Sequence, residues 1–129
     1  MRIIQDQTGA QRSIGYVVEL DGPVAQVHLD IDHRHMNRRE ALHGGLVTVL
    51  LDAASGYTAS LSVDGETLHE VVTVSMSVNY LSTADKGRVT ATARKTGGGR
   101  QIVFIDSELR SEDGKLLATA TGTFRLFVR

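Results

Sequence analysis

The chain has no cysteine and no tryptophan, one proline (Pro23), and only three phenylalanines and three tyrosines among 129 residues. Without cysteine there is no disulfide, no thiol nucleophile and no thiolate metal site. Charge of one sign is missing as well: 14 Lys+Arg stand against 15 Asp+Glu. That balance leaves no net electrostatic footprint for nucleic acid or an anionic membrane. No apolar run approaches the ~20 residues of a membrane span. The opening Met1-Arg2-Ile3-Ile4-Gln5-Asp6 lacks the apolar stretch of a signal peptide. The expectation is a soluble cytoplasmic protein.

What is present suits one domain over residues 1–129, with 41% apolar residues for a core. Residues 15–20 and 24–31 read as strands joined at Asp21-Gly22, a strong turn signal. In the second strand Ala25, Val27, Leu29 and Ile31 alternate with polar partners, the period of a sheet with one wet face. Residues 32–42 are polar and dense in His and Arg, and read as a loop. After His43-Gly44-Gly45 comes LVTVLLDAASGYTASL, which is helix length and has almost no polar face, so it predicts a buried helix. Residues 70–81, 87–95, 101–110 and 116–128 read as strands. The sum is α+β, with an antiparallel sheet of about six strands around one helix.

The candidate chemistry lies at the helix start. Gly44 and Gly45 should leave backbone N–H groups free at the positive end of the helix dipole, and they carry no Cβ to block a carbonyl. Donors aimed at an oxygen that gains charge are what an oxyanion site requires. Asp52 interrupts an apolar helix; a carboxylate in such surroundings is costly unless partnered, and burial would raise its pKa. It is therefore a candidate nucleophile or general base, or else a structural hydrogen-bonding acid. Gly44 and Asp52 are eight residues apart, about 12 Å along one helix. Both cannot reach one carbonyl carbon, so joint action requires Asp52 from a second copy of the chain, its helix antiparallel to the first. His33, His35 and His43 match no established zinc spacing. The turn Thr96-Gly97-Gly98-Gly99-Arg100, flanked by Arg94 and Lys95, reads as a hairpin that could also hold a phosphate.

The stretches HMNRREALHGGLVTVLLDAASGYTA (35–59), VVTVSMSVNYLSTA (71–84) and EDGKLLATATGTF (112–124) together resemble the hotdog-fold acyl-CoA thioesterases, in particular their phenylacetate-pathway (PaaI-like) branch. The shared pattern is an Asn, His-Gly-Gly six residues on, and an acid eight residues beyond the first Gly. The resemblance spans about residues 14–127. It implies a long helix wrapped by an antiparallel sheet, in a dimer or dimer of dimers with sites between subunits. It also implies hydrolysis of an acyl-CoA to a free acid and coenzyme A, the thioester being the substrate and no cofactor or metal being needed. Carried over by position, Asp52 is the nucleophile or general base and the Gly44 N–H polarises the carbonyl with help from His43. Asn37 and Thr73 orient water or the carboxylate. Tyr80 and the turn of Gly97, Gly98, Gly99, Arg100 and Gln101 contact coenzyme A, with Arg100 on a phosphate. Where the family has Gly three residues after the Asn, this chain has Glu40, expected to face solvent. A non-catalytic acyl-CoA-binding module is the alternative, and a hotdog dehydratase ranks behind it.

Overall fold

The computed structural model describes residues 1–128. In chain order it contains β1 (Arg2–Ile4), α1 (Gly9–Ile14), β2 (Val17–Asp21), β3 (Val24–Asp30), α2 (Gly44–Ser60), β4 (Glu70–Tyr80), β5 (Arg88–Gly98), β6 (Ile102–Ser111) and β7 (Leu116–Phe127). The seven strands form one antiparallel sheet in the order β1-β2-β3-β5-β6-β7-β4. With α2 packed against that sheet, this is the α+β hotdog arrangement.

Three details differ from the sequence expectation. The sheet has seven strands rather than six, because Arg2–Ile4 adds an edge strand against β2. A short helix, α1, was also not expected. Thr8 caps its start by accepting from the Gln11 N–H at 3.0 Å, and Gly15 ends it in the left-handed region. The buried Gln11 side chain then donates to Ile4 O (2.9 Å) and Tyr16 O (3.1 Å), stapling this segment to both flanking strands. β5 also runs on through Gly97 and Gly98, which the sequence placed in a turn.

The core forms between α2 and the inner sheet face. Leu50, Leu51 and Ala54 are fully buried against Val18, Val27, Leu29, Val89, Ala91 and Leu109. Each buried leucine contributes about 2–3 kcal/mol, which is why a helix apolar nearly all round holds here. Further along, Ala59 meets Val103, Ile105, Phe124 and Leu126. Ser60 ties the end of the helix to the approach of β4 by donating to His69 O at 2.6 Å.

One irregularity positions the site. On β4, Thr73 opposes Phe124 and Ser75 opposes Thr123, so Val74 is an extra residue and the strand bulges there. A bulge shifts by one which residues face inward. Val71 and Thr73 therefore face α2 on one side of it, and Met76, Val78 and Tyr80 on the other.

Candidate active site

His43 caps α2. Its Nδ1 accepts the Gly45 N–H at 2.9 Å, so the ring proton sits on Nε2, which is free to donate outward from an exposed side chain. The capping bond also removes Gly45 from the expected pair of free donors. The Gly44 N–H has no partner among the described residues and stands alone at the helix N-terminus.

Before the helix, Asn37 organises the loop: its Oδ1 accepts from Arg39 N (2.9 Å) and Ala41 N (3.2 Å). The same residue lines an open cleft of about 430 Å³ with His33, Met36, Arg38, Glu40 and His43. His35, by contrast, is a buried structural histidine, bonded through Nδ1 to Asp32 N (2.9 Å) and through Nε2 to Ile14 O (2.7 Å). Glu40 is exposed and adopts φ 58°, the left-handed region in which a residue with a Cβ is strained. Glu40→Gly should therefore gain up to about 1 kcal/mol of stability, read as a higher unfolding midpoint.

Two turns along α2 lies Asp52. The apolar helix predicted a buried carboxylate, but Asp52 is half-buried. Thr73 donates to Asp52 Oδ1 at 2.7 Å across the gap to β4, leaving the other carboxylate oxygen available. Near the helix start Thr48 and Tyr80 hydroxyls meet at 2.7 Å and Tyr80 donates to Gly44 O at 3.1 Å, so Thr48 is the donor in the first bond. The chain thus presents two groups on one helix: His43, Gly44 and Tyr80 at its N-terminus, and Asp52 with Thr73 about 12 Å beyond.

Sequence reasoning missed two tyrosines whose acidity the fold shifts, one of them through Asp52. Burial raises the Tyr16 phenol above its ordinary pKa, the Thr8 hydroxyl lowers it, and the Asp52 carboxylate adds to the rise. Tyr57 is raised by burial and then by Tyr16. No local pattern marks Tyr16; it reaches Asp52 only through the fold.

The residues expected to contact coenzyme A are not together in one chain. Tyr80 is eight residues along β4 from Val72, which lies on the same rung as Arg125 and Ile102. That puts Tyr80 about 25 Å from the β5–β6 turn. Gly97 and Gly98 pair with Phe104 and Val103, and the Gly99 N–H donates to Ile102 O at 2.8 Å. Gly98 needs its lack of a side chain, since at φ 104° a Cβ would stand 2.4 Å from Ile102 O. Arg94 is drawn toward Asp106 at 3.6 Å. Arg100 remains, beside Gln101, in a cleft of about 460 Å³ shared with Arg125 and Phe127. Arg125, not anticipated from sequence, sits over the Phe127 ring at 5.2 Å.

Comparison with known proteins matches residues 40–118 to the thioesterase superfamily. The 1,4-dihydroxy-2-naphthoyl-CoA hydrolase of Listeria monocytogenes is 28% identical over 116 residues, covering 89% of this chain and 93% of that one. A thioesterase of Haemophilus influenzae superposes with a TM-score of 0.82 at 27% identity, over 94% of this chain and 84% of the other. The PaaI protein of the Escherichia coli phenylacetic acid degradation operon superposes at 0.83 over 95% and 87% of the two chains. At 21% identity it speaks for the fold alone. No helix among the described residues is long and apolar enough to cross a membrane.

Proposed function

This chain belongs to the thioesterase superfamily, and from that premise we propose that it hydrolyses acyl-CoA thioesters at a site shared between two copies. The observation that carries the reading is the pair of groups on α2: an unpartnered Gly44 N–H at its start, and a Thr73-held Asp52 carboxylate two turns along. In the reaction the thioester carbonyl oxygen takes the Gly44 N–H, assisted by the outward Nε2–H of His43. Charge developing on that oxygen is stabilised by the fixed donors and the helix dipole. The free oxygen of Asp52 either withdraws a proton from water as it attacks the carbonyl carbon, or attacks that carbon itself. The C–S bond breaks, the sulfur leaves with a proton, and water supplies the acid's second oxygen. Asn37 holds the loop that aims His43.

The sheet offers a way to bring the halves together. Among the described residues β4 pairs with β7 alone, so its outer edge lies open along Val72 and Val74, which are 46% and 58% exposed. Long apolar edges recruit another strand. Antiparallel pairing of β4 with β4 of a second copy would run the helices in opposite directions. It would carry Gly44 and Tyr80 of one copy toward Asp52 and Arg100 of the other. The spacing of Asn37, His43-Gly44-Gly45 and Asp52 supports placing the chain in the PaaI-like branch.

The experiment is thiol release from an acyl-CoA panel, first with wild type and then with Asp52→Ala and Gly44→Pro, each purified inactive, mixed, unfolded and refolded together. A shared site should restore about a quarter of wild-type activity, since half the dimers are mixed and each keeps one intact site of two. Activity in wild type without recovery in the mixture would place both groups' roles within single copies or outside the reaction. Coenzyme A binding without thiol release by wild type would make this a binding module.

A further inference from the structure

Tyr80 has one hydroxyl proton, and it is used within the chain. It goes to Gly44 O at 3.1 Å, while the Thr48 hydroxyl donates to the Tyr80 oxygen at 2.7 Å. Gly44 O and the Gly45 N–H are the two polar ends of one planar peptide group. The N–H end of that group donates to His43 Nδ1 at 2.9 Å, which leaves the ring proton on the outward Nε2. These bonds form one unbroken series with every donor pointing the same way. Thr48 donates to Tyr80, Tyr80 to the Gly44–Gly45 peptide, and that peptide to His43, whose Nε2–H faces out. Hydrogen bonds in series polarise one another, so each donor is strengthened by the bond it accepts.

The peptide in the middle of the series also needs an anchor. Gly44 and Gly45 stand side by side in the first turn of α2, and glycine has more backbone freedom than any other residue. The peptide before it is fixed through His43 O, which accepts Leu46 N at 2.9 Å and Val47 N at 3.1 Å. For the Gly44–Gly45 peptide, Tyr80 brings an anchor from another element, the end of β4. Its ring lies against Gly44, where a Cβ would stand 3.4 Å away. We infer that Thr48 and Tyr80 are positioning residues for hydrolysis, acting through the Gly44–Gly45 peptide to aim and strengthen the His43 Nε2–H that meets the thioester carbonyl oxygen. The inference rests on the thioesterase reading. It also gives the Tyr80 hydroxyl a role other than the coenzyme A contact that the family resemblance implies, because its proton is already committed to Gly44.

The test measures kcat and KM for acyl-CoA hydrolysis in wild type, Tyr80→Phe, Thr48→Val, His43→Ala and the Tyr80→Phe/His43→Ala double variant. Phenylalanine keeps the ring against Gly44 and valine keeps the branched shape of threonine, so unfolding midpoints near wild type will show that the variants fold. Tyr80→Phe should lower kcat about tenfold and Thr48→Val less, each with KM within about twofold of wild type. In the His43→Ala background Tyr80→Phe should change kcat by less than about twofold, because the series ends at His43. The Gly45 amide proton, followed by NMR, should move upfield in Tyr80→Phe, and less in Thr48→Val, as its bond to His43 weakens. A raised KM with unchanged kcat would make the Tyr80 hydroxyl a coenzyme A contact. An equal loss of kcat with and without His43 would make the pair a support of the helix alone. Either result, or kinetics and an amide shift that stay at wild type, would overturn the inference and leave the thioesterase reading standing. A wild type that hydrolyses no acyl-CoA would remove that reading and the inference with it.

Discussion

Asp52→Asn should lower kcat for acyl-CoA hydrolysis by about 10²–10⁴ and leave coenzyme A binding in place. The substitution is nearly isosteric, and the new amide oxygen can still accept the Thr73 hydroxyl that now bonds Asp52 at 2.7 Å. What is lost is the negative charge, and with it both the proton acceptor and the nucleophile. A half-buried position makes the exchange benign for folding, so the unfolding midpoint should barely move. Thiol release under saturating substrate, with coenzyme A titrated separately, reads the two effects apart. Thr73→Val gives a graded companion, because it keeps the carboxylate and frees it to turn; its loss should be smaller and should appear in kcat. Near-normal turnover in Asp52→Asn would leave Asp52 a structural residue that links α2 to β4.

Gly44→Pro should cost about 10²–10³ in kcat at almost no cost in stability. Gly44 is the first residue of α2 after its cap, the position where proline fits a helix best because the missing N–H has no helical partner anyway. His43 already has φ −61° and ψ 133°, the extended conformation that a following proline imposes. The Gly45 N–H would stay bonded to His43. The ring's first carbon would meet the Tyr80 side chain at an ordinary 3.4 Å. The variant thus deletes one hydrogen-bond donor and little else. A folded Gly44→Pro protein with wild-type kcat would show that the carbonyl is polarised elsewhere.

The long helix and the turn at Asp21-Gly22 were legible because they follow from local rules. Sixteen residues with no breaker and no polar face cannot be a strand, and Asp21-Gly22 marks its turn by conformation alone. The small N-terminal elements were not. Three residues at β1 and six at α1 are too few to show a period, although Thr8, Gln11 and Gly15 do carry the capping signs of a short helix. The strand at β4 was legible from its β-branched residues, but which of its side chains face the helix was not. The structure leaves Val72 and Val74 exposed and turns Thr73 toward α2, where its hydroxyl pairs with Asp52. At the site, the 12 Å between Gly44 and Asp52 was already readable as two halves. The occupation of Gly45 by His43 and the approach of Tyr16 were not, since each depends on where a side chain points after folding.

The extra residue at Val74 gives β4 an unusual sensitivity to length. An edge strand ordinarily tolerates the loss of a residue by sliding along its single neighbour. Here the two ends of the strand are pinned to α2 in opposite phase, Thr73 at Asp52 and Tyr80 at Gly44. Removing Val74 would leave no register that satisfies both. One end would have to turn its hydroxyl away from the helix, separating the carboxylate from its holder or the helix N-terminus from its brace. Deletions in this strand should therefore be far less tolerated than substitutions at Val74 itself, whose side chain lies mostly in solvent.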